Sequence, residues 1–171
     1  MMGSTTMPGG KAQELGSWRV GGYLVEYEGG FTPDTDFGPM TRSVALYAHG
    51  RDPAMGFRSL DEAARLDRSK AGVWIEAELK KRDAYEEKLM DLVRAGKLRW
   101  SSGTPAHLAA TGGGTIARWP LGLDASLMPT AEGKQAGLMA PEALELKHYF
   151  TYDVAPPVDQ LRALNRLLER R

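Results

Sequence analysis

The chain has 171 residues, enough for one domain with a substantial core, because folding a chain of roughly 150 residues buries about 70% of the surface its unfolded form exposes. Twenty-two Lys and Arg residues balance twenty-two Asp and Glu residues, so no net field gathers a polyanion or an acidic lipid face, and neither nucleic acid nor a membrane is expected as a partner. Cysteine is absent, which removes disulfides, thiolate catalysis and most structural zinc sites, and no apolar run approaches the ~20 residues that span a bilayer.

Residues 1–16 are rich in Gly, Ser and Thr and poor in large apolar side chains, so a flexible leader is expected there, without the pattern of a secretory signal. From Ser17, "SWRVGGYLVEYEGG" alternates aromatic and branched residues and closes on Gly29-Gly30, as a strand and its turn do. "FTPDTDFGPM" has loop chemistry, and "SVALYAHG" is a short buried strand with His49 at its exit. The stretch from Phe57 to Leu66 suits a helix by composition and a strand pair by its position between turns.

In "AGVWIEAELKK", Val73, Ile75, Ala77 and Leu79 fall on one face of a strand. The period then changes: Asp83 caps a helix over "DAYEEKLMDLVRAG", with Tyr85, Leu89, Leu92 and Val93 as its apolar stripe and Gly96 at its end. Lys97 to Ala110 is extended again, "TGGGT" turns, and Thr115 to Met128 returns with a bend at Pro120, so the two are expected to form one long hairpin. Trp74, Trp100 and Trp119 are expected to anchor the core.

Residues 130–157 carry no firm period and read as an irregular or flexible segment open to proteolysis. Residues 158–171 place Val158, Leu161, Leu164 and Leu168 on one stripe beside arginines, as an amphipathic end helix does. Together these elements predict a mainly β fold with helices (α+β). Residues 17–129 would form a closed or nearly closed β-barrel, with one central and one C-terminal helix.

Three histidines are present, His49, His107 and His148, without HxH or HExxH spacing, so no metal site is expected. Gly112-Gly113-Gly114 lacks the lysine and helix start of a phosphate loop, so no cofactor is expected either. What the residues leave open is acyl transfer by a serine, which is a weak nucleophile until a base, usually histidine, lies within hydrogen-bond reach. "KLRWSSGTPAHL" offers two adjacent serines, Ser101 and Ser102, which a strand would send to opposite faces. Either could equally be a turn or strand hydroxyl bonded to nearby backbone, and His49 a satisfied polar group at a strand end.

Four stretches, "GGYLVEYEGGFTPDTDFG", "ALYAHGRDP", "GVWIEAELKKRDAYEEKLMDLVRAGKLRWSSGTPAHL" and "RWPLGLDASLMPT", taken in this order from about Gly21 to about Thr130, resemble the prohead proteases of tailed bacteriophages. These are capsid maturation serine proteases related to herpesvirus assemblin. The resemblance implies a serine endopeptidase on the barrel fold of that group. It places the base at His49 in "LYAHG", the nucleophile at Ser101 in "AGKLRWSSG" and the third member at Asp124 in "DASL".

Ser102 remains the alternative nucleophile, and His107 or His148 the alternative third member. The implied substrates are segments of the scaffold and of the phage major capsid protein, with self-cleavage in the tails. The implied location is the host cytoplasm and then the interior of the immature head. A homodimer is compatible with this likeness, since related enzymes pair to become active. The rival reading is a non-catalytic head-assembly or scaffolding protein that keeps the fold and binds a partner through the terminal helix.

Overall fold

The structure, a computed structural model, describes residues 10–50, 58–129 and 142–144. The expected segments 130–157 and 158–171 fall outside the described residues apart from residues 142–144. Among the described residues the fold is mixed and mostly β. Its strands are β1 (Gln13–Gly16), β2 (Arg19–Glu26), β3 (Arg42–Tyr47), β4 (Asp61–Arg68) and β5 (Gly72–Glu78), then β6 (Leu98–Pro105), β7 (Ala110–Gly112), β8 (Thr115–Arg118), β9 (Asp124–Pro129) and β10 (Glu142–Leu144). One helix, α1 (Ala84–Arg94), stands between β5 and β6.

Eight strands form one sheet in the order β1-β2-β5-β4-β3-β9-β6-β10, and β7 and β8 make a separate two-stranded ribbon. The sheet does not close into the expected barrel by strand pairing. Its β1 end nevertheless returns to β6 through residues 10–12. The Trp100 N–H donates to Gly10 O at 2.9 Å, the Ala12 N–H donates to Leu98 O at 3.0 Å, and Lys11 bridges to Arg99.

That seam also orders the end of the expected flexible leader. Residues 10–16 are held in the fold, with Ala12 buried, because main-chain hydrogen bonds to β2 and β6 order a stretch whose side chains offer little. The segment of mixed helix and strand character is strand β4, where Ala64 and Leu66 turn inward and Arg65 and Asp67 outward between β3 and β5. The long hairpin is split. β6 pairs with β9 as expected, but the chain leaves β6 at Pro105 and forms the β7–β8 ribbon on Gly113-Gly114, both with positive φ. It then lays residues 119–121 against the Asp36–Phe37 loop, with the Trp119 and Leu121 N–H groups donating to Asp36 O and Phe37 O.

Helix α1 starts as its sequence dictates: Asp83 accepts from the Glu86 N–H, and Glu86 Oε1 accepts from the Arg82 N–H at 2.7 Å. Its buried stripe differs from the expected one. Glu86, Leu89, Met90 and Val93 face inward and Leu92 is half-buried, while Tyr85 lies half exposed beneath the Arg58 guanidinium. The carboxylate turns in because it is needed at the helix start, so the tyrosine is left outside.

Trp100 and Trp119 are in the core, whereas Trp74 is half-buried on the outer face of β5, edge-on to Tyr23 at 5.0 Å. Alternation from the buried Val73 and Ile75 sends it there. Trp100 lies where β6, β2 and residues 10–12 meet, and its Nε1 donates to Gly21 O at 2.9 Å. Gly22 makes this approach possible: its φ is 143°, and a Cβ there would stand 2.7 Å from Lys11 O and 2.9 Å from Trp100 Cδ1.

Gly22→Ala is therefore expected to destabilise the fold by roughly 1–3 kcal/mol or more, read by urea unfolding. Asp83→Ala should cost about 1 kcal/mol at neutral pH. The Arg58 guanidinium bonded to Asp83 holds its carboxyl down at about 2, so the charged form contributes above the ordinary value of 3.8 and its contribution is lost as pH falls through about 2. The gap between wild type and Asp83→Ala should accordingly narrow in unfolding curves taken from about pH 4 downward.

Candidate active site

Strand parity decides which serine of β6 is available. Trp100, Ser102 and Thr104 share one face. There Ser102 Oγ accepts from Trp119 Nε1 at 3.2 Å and Thr104 Oγ1 donates to Pro120 O at 2.8 Å. Ser101 points to the other face, where its Oγ lies 3.1 Å from His49 Nε2. Ser102 is thus committed to the packing of Trp119 and stands away from the histidine.

β9 runs antiparallel to β6 with Ser126 opposite Ser101 and Asp124 opposite Gly103, so residues two apart on β9 share the face of Ser101. On the other side of β9 lies β3, parallel to it, with Ala45, Leu46 and Tyr47 opposite Ala125, Ser126 and Leu127. The chain leaves β3 through a short 3-10 turn, Ala48–Gly50, in which Ala48, His49 and Gly50 all adopt left-handed φ values of 52°, 56° and 76°. This turn brings the His49 ring to Asp124 and Ser101, spanning from the end of β3 over β9 to β6.

There His49 Nδ1 lies 2.6 Å from Asp124 Oδ2. An ionised carboxylate only accepts, so Nδ1 carries the hydrogen and donates to Asp124, which leaves the Nε2 lone pair to accept from the Ser101 hydroxyl. The remaining carboxylate oxygen, Asp124 Oδ1, accepts from Ser126 Oγ at 2.6 Å, and the same Oγ accepts from the His49 backbone N–H at 3.0 Å. The group is enclosed: Ser101 is 2% exposed, His49 1%, and Asp124 and Ser126 are fully buried. Burial makes each of these hydrogen bonds matter more, because a buried carboxylate or imidazole without partners is costly.

Of the residues singled out in the sequence, His49, Ser101 and Asp124 come together, although 52 and 75 positions separate the hydrogen-bonded pairs. Ser102 faces away. His107 sits exposed on the 3-10 turn Ala106–Leu108 that follows β6, while Asp124 occupies the Nδ1 side of the His49 ring. His148 lies outside the described residues. Ser126 was not singled out, although its signal was available: it stands two residues after Asp124 in a strand, hence on the same face. Among the described residues no group of three or more His, Asp or Glu side chains is placed to hold a metal ion, and no helix is long and apolar enough to cross a membrane.

No family model, curated protein or solved structure matches the chain. The chemistry of the site therefore rests on its own geometry. An alcohol, an imidazole in the tautomer that can accept the alcohol's proton, and a carboxylate behind the ring are the groups needed to generate an alkoxide-like nucleophile at neutral pH.

Ser102→Ala should leave the Ser101–His49 contact intact and remove the acceptor of a buried indole N–H. The expected outcome is a loss of roughly 1–3 kcal/mol in urea unfolding with the fold retained.

Proposed function

We propose that the chain is a serine endopeptidase that cuts scaffold and capsid-protein segments, and its own tails, during maturation of a phage prohead. The observation that carries the enzymatic part is the hydrogen-bonded line from Ser101 through His49 to Asp124. Neutral His49 takes the Ser101 proton on Nε2 as Oγ attacks the scissile carbonyl, and then delivers it to the leaving amine. Asp124 keeps the ring in the required tautomer and stabilises the imidazolium that forms. Water attacks the acyl-enzyme in the second half, with His49 again the base, and releases the new carboxylate and free Ser101.

The prohead assignment is supported by the motif order in the sequence, in which "LYAHG", "AGKLRWSSG" and "DASL" contain the three residues that meet in space. The finer fold reading, a nearly closed barrel, draws support from the bonds of residues 10–12 to β6, which act as a seam where the ladder is open. On this reading the protein is made in the host cytoplasm and is enclosed in the immature head, and a homodimer is compatible with it.

Co-expression with the cognate capsid protein tests the proposal by gel and intact mass. The wild type should shorten the capsid protein or itself, and Ser101→Ala should lower the rate by roughly 10⁴-fold or more. Asp124→Asn, which favours the wrong tautomer, should lower it to about the same extent. An uncut capsid protein, an uncut chain and a Ser101 that a fluorophosphonate probe fails to label would together defeat the proposal and favour the non-catalytic assembly protein.

A further inference from the structure

We infer that Ser126 is a positioning residue of this site, a fourth member that sets both the His49 backbone and the Asp124 carboxylate. The inference rests on the endopeptidase reading above. Ser126 Oγ uses its hydrogen and a lone pair on two different members of the site. It donates to Asp124 Oδ1 at 2.6 Å and accepts from the His49 N–H at 3.0 Å. With the side chain fully buried, bulk water cannot replace either bond.

Both bonds fall where the site has freedom to lose. His49 holds a left-handed backbone, and so does Ala48 before it, conformations that are strained for non-glycine residues and persist only where the surroundings over-determine them. The bond from the His49 N–H to Ser126 ties that backbone to the strand that carries Asp124. The second bond fixes the carboxylate. With Oδ2 on the ring and Oδ1 on Ser126, rotation of the Asp124 group breaks one of two short contacts. Ser126 faces Ser101 across the β6–β9 pair and contacts neither the reacting carbonyl nor the ring nitrogens by these bonds, so it acts through its neighbours.

A hydrogen bond donated to the carboxylate also draws charge away from it. Removing the donor leaves more charge on the oxygen facing His49 and strengthens its hold on the imidazolium. Among the described residues, the Asp124 carboxylate from β9 and the Ser101 hydroxyl from β6 face the ring nitrogens.

The test uses a fluorophosphonate probe that reports nucleophile activation without a known substrate, with Ser101→Ala as the blank. Ser126→Ala should lower the maximal labelling rate roughly 10- to 100-fold with the half-saturating probe concentration unchanged within about twofold. The acidic limb of its pH profile should move to higher pH. Ser126→Cys, similar in shape and with a weaker donor, should fall between the two, which a purely space-filling role would not produce. Labelling rates and pH limbs equal to wild type in Ser126→Ala, or Ala and Cys variants alike, would overturn the inference. If wild type resists the probe, the endopeptidase reading is judged separately, by cleavage of the capsid protein or of the chain itself. The ¹⁵N NMR titration of the His49 ring then judges the clamp alone, and an unmoved titration in Ser126→Cys sinks it.

Discussion

The position of β9 between β3 and β6 is the constraint on which the site depends. Because β9 is parallel to β3, the chain leaves β3 beside the end of β9. Because β9 is antiparallel to β6, Asp124 and Ser126 look out on the same face as Ser101. Three neighbouring strands thus deliver a base, an acid and an alcohol within one imidazole's width. A slip of one residue in the β6–β9 register would turn Asp124 and Ser126 to the opposite face, where Trp100 and Trp119 pack. Site and core are therefore set by the same pairing.

Enclosing polar groups in this way has a cost, and the hydrogen-bond pattern offsets it. A carboxylate removed from water is disfavoured unless its oxygens find donors, and Asp124 has one on each oxygen: the His49 ring on Oδ2 and the Ser126 hydroxyl on Oδ1. The left-handed turn at Ala48–Gly50 adds strain where the chain must bend to return its imidazole over β9. Strain of that kind needs a rigid support. The layer of Trp100, Ile75, Leu98 and Leu127 beneath the strands provides it.

Rigidity on the far side comes from a junction that carries no chemistry. Residues 10–12 bond to β6, Gly10 bonds to Tyr23 O in β2, and Trp100 reaches through the gap to Gly21 O. β6 therefore has main-chain partners on both sides of Trp100 and Ser101, and its twist is fixed where Ser101 sits. This arrangement needs a residue without Cβ at Gly22, since any side chain there meets the Lys11 carbonyl.

Much of this was legible in the sequence. Alternation predicted the strands at β2, β3 and β5, the cap at Asp83 predicted α1, and the resemblance carried by three short motifs pointed to His49, Ser101 and Asp124. Local chemistry suffices for these, because period and capping are properties of adjacent residues. Other features were out of reach. Residues 10–16 looked structureless because main-chain pairing leaves no mark on side-chain composition, and the placing of Tyr85 outside goes with the guanidinium of Arg58, 25 positions from the Asp83 cap it also binds. That Ser101 lies beside His49 while Ser102 bonds Trp119, that His107 stands exposed on its turn, and that Ser126 bonds both Asp124 and the His49 main chain are arrangements made only in three dimensions. The sequence by itself determined which residue types were present and how each strand alternates. The tertiary structure alone decided which strand lies beside which, because hydrogen bonds and burial between segments 50 to 80 positions apart depend on distances in space that no local pattern encodes.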